Sequence, residues 1–377
     1  EIPSGRGFGQ PLRLMIDLGN NDNICTMFVY EPEAKYVIAS NCGRGFVVDE
    51  SHILAQTRNG RKIMNVADGA DLAEVLAEAG GAKNITLNLA ADGEYTFGSA
   101  ASVAGNLAIV GVEDAPAKIT MADGLETIAS VTLKNVVVDA SALKVPVIKM
   151  GNLPAEGRNE KDAVCIDGLV IENCKFVRLP YQLFYANKQN YLLNKIQVEN
   201  TVIDVNGTAK KTVFDFNSGG DVENLTINNS TIYANPSAES NGCFYSTQSG
   251  KGVSDLGGTS QVISITNSTI YNMCYAKTVN TLRRNSQNWQ LFVVKNNIVV
   301  NSGKKGQFVK GLNSGQNGKV TNYDVDNNVF NFDGEVVEEQ APEGAINNSI
   351  EVVVEFADAE NGNFTQSNVT VGDPRWF

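Results

Sequence analysis

One unit recurs along this chain: a stretch alternating apolar and polar residues, an asparagine, then a second apolar run. It is nearly identical in Leu225-Thr226-Ile227-Asn228-Asn229-Ser230-Thr231-Ile232 and Ile263-Ser264-Ile265-Thr266-Asn267-Ser268-Thr269-Ile270. Further copies occupy 131–138, 169–176, 196–203, 292–299 and 323–330. The aligned residues are Asn135, Asn173, Asn200, Asn229, Asn267, Asn296 and Asn327, separated by 38, 27, 29, 38, 29 and 31 residues. A period of this size marks a solenoid or propeller, because one copy cannot bury its apolar face alone. Between the asparagines lies another short apolar strand, as at Val147-Ile148, Leu183-Phe184-Tyr185, Val213-Phe214-Asp215-Phe216, Cys243-Phe244-Tyr245 and Phe308-Val309. Two or three strands per coil, with a tolerant loop, is the requirement of a parallel β-helix. Asparagine suits the bend between strands: it tolerates the left-handed region, and its amide bonds local backbone. Stacked coil on coil, such amides bond one another as a structural ladder.

The rest of the chain is consistent with this. Helix signals are confined to Asp71-Leu72-Ala73-Glu74-Val75-Leu76-Ala77-Glu78-Ala79, where Leu72, Val75, Leu76 and Ala79 share one face and Gly80-Gly81 end it. Hydrophobic residues make up 42% of the 377, enough for a large core. The longest apolar runs, such as Val352-Val353-Val354, are far too short to cross a bilayer. The formal net charge is −12, which disfavours non-specific nucleic-acid binding by the chain as a whole. Residues 1–66 are neutral, so that charge sits entirely in 67–377. The six cysteines form no CxxC pair, so neither a zinc site nor a disulfide framework is expected.

The first 66 residues read as a β-meander of short strands joined by Gly/Asn/Asp turns. Basic residues gather in those turns, at Gly5-Arg6-Gly7-Phe8-Gly9, Gly43-Arg44-Gly45 and Thr57-Arg58-Asn59-Gly60-Arg61-Lys62. These motifs, together with Gln10-Pro11-Leu12-Arg13-Leu14-Met15-Ile16-Asp17, resemble the C-terminal β-pinwheel domain found in the A subunit of bacterial topoisomerase IV. The resemblance implies a DNA-binding fragment from a cytoplasmic enzyme, with Arg58, Arg61 and Lys62 facing the phosphate backbone.

Residues 67–377 resemble the right-handed parallel β-helix proteins of the pectin-lyase-like superfamily, with the helix at the N-terminal cap. More narrowly they resemble secreted or surface β-helix proteins of Bacteroidetes that accompany polysaccharide utilisation; the ending Val371-Gly372-Asp373-Pro374-Arg375-Trp376-Phe377 is similar to theirs. The expected fold is therefore all-β: a right-handed parallel β-helix with an N-terminal capping helix, preceded by a short meander fragment. The expected divisions are 1–66, a cap and first coils at 67–130, the repeats at 131–335, and C-terminal strands and cap at 336–377. The two resemblances imply different compartments, so the chain reads as a chimera joined near Val66-Ala67.

The resemblance also frames the chemistry. Hydrolases and lyases of this fold use histidine motifs or basic residues, and His52 is the sole histidine. Arg178-Leu179-Pro180 is half of a lyase motif whose second arginine is missing. The remaining candidates for a base are Arg283 and Arg158, with Ca²⁺ as cofactor if the chain is a lyase acting on acidic glycans. The candidates for glycan contact are Tyr181, Tyr185, Asp215, Arg284 and Trp289, on the loop side after the second strands; Lys161, Asp221 and Asp255 share that side. The expected function is non-catalytic polysaccharide binding outside the cell or on its surface, by a monomer without metal. The alternatives are a polysaccharide lyase and, through residues 1–66, DNA binding.

Overall fold

The computed structural model describes residues 69–79, 81–187, 190–209, 211–216, 219–235, 245–246, 251–275, 280–281, 290–309, 322–338 and 346–377. It adds 26, 28, 31, 34–39, 45–49 and 53 in the first segment. The repeats wind as a parallel β-helix. Among the described residues the strands stack into three long sheets of ten, eleven and seven strands. The first runs from Asn84–Asn88 to Ile346–Asn347, the second from Ala70–Asp71 to Glu335–Val336, and the third from Ala101–Val103 to Asn280–Thr281. Pairing along all three is parallel, apart from the terminal pair Asn331↔Val336. Burial alternates, as over Ala117–Met121, where Ala117, Ile119 and Met121 are buried and Lys118 and Thr120 exposed, and sends one face of each strand into a continuous core.

The helix Leu72–Ala79 closes the N-terminal end, with Leu72, Ala73, Val75, Leu76 and Ala79 all buried. Asp71 caps it: its Oδ1 accepts from Ala73 N at 2.9 Å. In the first segment, strands Lys35–Ala39 and Gly45–Asp49 form an antiparallel pair with Val37 opposite Val47. Val37 is buried in the same apolar cluster as the helix and the first coils.

All seven repeat asparagines sit at the bend between the first and second sheets, with φ between 47° and 56°. Their side chains do not form one unbroken ladder. Asn200 Nδ2 donates to Asn173 Oδ1 (2.8 Å), and Asn173 Nδ2 to Asn135 Oδ1 (2.9 Å). Asn327 bonds Asn296 (2.8 Å), and Asn296 bonds Asn267 (3.0 Å). Between the two runs, Asn229 Nδ2 goes to Glu199 Oε1 (2.8 Å) and Asn267 Nδ2 to Asn228 Oδ1 (2.8 Å). An ionised carboxylate is a stronger acceptor than an amide oxygen, so Glu199 captures this rung.

A second, fully buried column lies one residue further on. Bending the chain turns the next N–H away from the strand ladder, and a side-chain oxygen from the following coil accepts it. Cys174 N donates to Thr201 Oγ1 (3.2 Å), Thr201 N to Ser230 Oγ (3.0 Å) and Ser230 N to Ser268 Oγ (3.2 Å). Ser268 N then donates to Asn297 Oδ1 (2.9 Å), and Asn297 N to Asn328 Oδ1 (3.0 Å). Each hydroxyl proton returns to the carbonyl two residues back, as from Ser230 to Asn228 O at 2.6 Å. At the start of the column, burial pushes the Cys174 thiol up to about 12, so it stays protonated.

In 336–377 the described strand residues are Val336, which ends the strand Glu335–Val336, and Ile346–Asn347. Residues 350–377 form a strap laid back over the second sheet. Ile350 N reaches Asn328 O (2.8 Å), Gly372 N reaches Asn296 O (2.8 Å), and Arg375 Nη2 reaches Thr201 O (3.1 Å).

Candidate functional site

The third sheet carries two of the positions that the sequence singled out, Tyr185 and Asp215. Its inward column, Ala101, Leu125, Ile148, Phe184 and Phe214, is buried. Strand geometry therefore sends each following residue outward. In register these are Ser102, Glu126, Lys149, Tyr185 and Asp215, one per coil. Neighbouring strands lie ~4.8 Å apart, so these side chains form one continuous row.

The row is polar and largely self-paired. Lys149 Nζ lies 3.0 Å from Glu126 Oε2, with both side chains about 40% exposed. Tyr185 follows, half-buried. Asp215 is buried at 9% and accepts from Gln182 Nε2 at 3.0 Å, so it fixes Gln182 in place. One residue before Gln182, the half-buried Tyr181 ring lies under Lys211 Nζ, 4.9 Å from its centroid. The structure thus brings Tyr181, Tyr185 and Asp215 together. Glu126, Lys149, Gln182 and Lys211 were missed; of these only Lys149 follows an apolar pair that the sequence marked, Val147-Ile148.

The other expected residues fall elsewhere. Arg158 holds its own loop: Nε donates to Pro154 O (3.1 Å), and Nη1 donates to Asp162 O (2.9 Å) and Oδ1 (3.2 Å). Asn159 ties that loop to Leu256 O at 2.7 Å. Asp255 stays exposed and caps the 3-10 turn Val253–Leu256. Arg283, Arg284 and Trp289 lie outside the described residues, as do Arg58, Arg61 and Lys62. No group of three His, Cys, Asp or Glu converges among the described residues. No described helix is long and apolar enough to cross a membrane.

Asp221, expected on the loop surface, is instead 2% exposed. Its carboxylate accepts from the Tyr245 hydroxyl, from Val222 N (2.8 Å) and from Gln261 Nε2 (3.1 Å). Burial pushes its pKa from 3.8 to about 7, and those hydrogen bonds hold back part of the rise. The folded state therefore keeps this proton across a range where the unfolded chain has released it. Stability from Asp221 is full below pH 3.8, falls as pH rises to about 7, and is level above that. In urea titrations, the difference in midpoint between the wild type and Asp221→Asn is expected to change across that window and flatten above it. Parallel curves at every pH would contradict the assignment.

Residues 93–235 match a family described as a domain of unknown function, DUF4957. A 68-residue match is 46% identical to the A subunit of DNA topoisomerase 4 from Rickettsia bellii, covering 18% of this chain and 9% of that protein. The counterpart from Caulobacter vibrioides is 35% identical over 68 residues, and that from Neisseria gonorrhoeae 32% over 69, with the same shares. The chain thus spans about a tenth of the length of the curated relatives it matches. A short segment of the chain resembles the A subunit of topoisomerase IV, and the repeats form a parallel β-helix.

Proposed function

We propose that residues 67–377 form a non-catalytic, polysaccharide-binding β-helix that acts as a monomer, secreted or held at the outer cell surface. The observation behind this reading is the outward row of the third sheet. It offers a half-buried tyrosine ring for stacking beside carboxylate, ammonium and amide groups for hydroxyls, one per coil along an extended face. Such a row suits a long chain ligand. Titration calorimetry with soluble polysaccharides tests it: Tyr185→Ala is expected to weaken binding at least about tenfold, the equivalent of about 1.4 kcal/mol. Unchanged affinity contradicts the reading. Release of an unsaturated uronate, followed by its absorbance, would instead make the chain a lyase.

The topoisomerase-like match supports a second reading, in which residues 1–66 bind duplex DNA through Arg58, Arg61 and Lys62. Replacing all three with alanine in the full chain should weaken DNA binding and lower the salt slope by about 3. No salt-dependent binding by the wild type sinks this reading.

A further inference from the structure

We infer that the turn Val253–Leu256 is a latch worked by the proton on Asp221, shut in acid and released as pH rises. Val253 and Leu256 are fully buried, but in a small cluster with Ala163 and Leu192 that stands apart from the solenoid core. A cover with so small an apolar seat opens at lower cost than the sheets beneath it. Asn159 Nδ2 donates to Leu256 O (2.7 Å), which joins the turn to the loop 154–163. A Cβ at Gly257 would come within 2.7 Å of Asn159 Nδ2, and one at Gly258 within 2.6 Å of Glu223 Oε1. The turn thus sits closely on both the loop and the strand.

Beneath it lies Asp221, at the start of the strand Asp221–Asn228. The Val253 N–H faces its carboxylate from the turn, while Val222 N, Gln261 Nε2 and the Tyr245 hydroxyl hold it from the solenoid. The other ionisable groups on these elements are Glu223 on its own strand, Tyr191 and Lys195 on the adjacent strand Tyr191–Glu199, and Lys251 and Asp255 around the turn. The clamped loop adds Glu156, Glu160, Lys161 and the pair Arg158–Asp162 (3.2 Å), and Lys195 pairs with Asp167 (3.6 Å).

With the turn shut, burial lifts the Asp221 carboxyl from 3.8 to about 7. With it open, water reaches the group and its affinity for the proton falls back toward 3.8. The shut form therefore binds the proton more tightly, and acid favours it. Opening becomes easier as pH rises from 3.8 to about 7, and is level above that.

Hydrogen exchange on the full chain, corrected for intrinsic rates, tests this at about pH 5 and about pH 8. The amides to follow are Asp255, Gly257 and Gly258, which bond Gly252 O, Ser254 O and Val253 O. They are expected to open at least about tenfold more often at the higher pH, and Asp221→Asn should abolish the difference. Asn159→Ala cuts the clamp without touching the carboxyl, so it should raise exchange at both pH values and keep the ratio. Equal opening at both pH values in the wild type overturns the latch. So does a ratio that survives in folded Asp221→Asn. Loss of the ratio in Asp255→Asn would assign the sensing to the turn's own carboxylate and overturn it as well.

Discussion

Replacing Phe364 with alanine is expected to destabilise the C-terminal half of the solenoid by about 3–5 kcal/mol. Phe364 is fully buried, although it lies on a segment without regular strands. Its ring packs against Phe356 (5.0 Å between centroids), Tyr233 (5.1 Å), Tyr271 (5.6 Å) and Trp376 (5.8 Å). Tyr233 and Tyr271 pair in register on the outer face of the second sheet. The strap thus supplies the apolar cover that this face lacks. Its end is anchored by polar contacts. Asp373 is fully buried and pairs with Arg375 at 2.5 Å. Thr231 Oγ1 donates to Asp373 (2.6 Å) and accepts from Trp376 Nε1 (2.7 Å). Fluorescence reports the release directly, because Trp376 is one of only two tryptophans. Phe377, 51% exposed, is the matched control. Equal urea midpoints for Phe364→Ala and Phe377→Ala would show that the strap carries no load.

Replacing Asn297 with leucine should cost a comparable amount, about 1–3 kcal/mol for each buried group left without a partner. Leucine approximates the volume but cannot accept from Ser268 N (2.9 Å) or donate to Ile265 O (2.8 Å). Asn297 is fully buried, so water cannot substitute. Serine stands at the same bend in the neighbouring coil, as Ser268, so Asn297→Ser should recover part of the loss. The outer neighbour Asn296 is a contrasting case. Its Nδ2 bonds Asn267 Oδ1 at 3.0 Å, and its φ is 56°. Asn296→Gly should be milder, since glycine keeps the left-handed bend at no steric cost. Thermal melts of the three variants give the ranking; equal loss from all three would contradict the buried column.

These contrasts show which features the sequence made legible. The bends were legible because a left-handed residue leaves a local signature, and asparagine recurs where the chain must turn. The buried column was less so, although its residues follow the asparagines directly. Cys174, Thr201, Ser230, Ser268, Asn297 and Asn328 look like unrelated choices until the bend shows one shared need, an acceptor for an N–H turned off the ladder. The break at Asn229 depends on Glu199, 30 residues earlier, and no local pattern encodes that contact. The strap was hidden for the opposite reason: Phe364, Asp373 and Arg375 act across 100 or more residues, as from Asp373 N to Thr269. At the candidate site, Tyr185 and Asp215 were found because each lies within an apolar strand motif. Glu126 and Lys149 needed the register. Arg158 looked available for catalysis because loop carbonyls that hold a guanidinium leave no trace in sequence.

The most direct test of the central claim is hydrogen exchange on the full chain, with and without a bound soluble polysaccharide. The account predicts added protection at Leu125–Thr127, Ile148–Met150 and Phe184–Tyr185, with the second sheet unchanged beneath its strap. Protection confined to the first or second sheet, or absent at saturating polysaccharide, would contradict it.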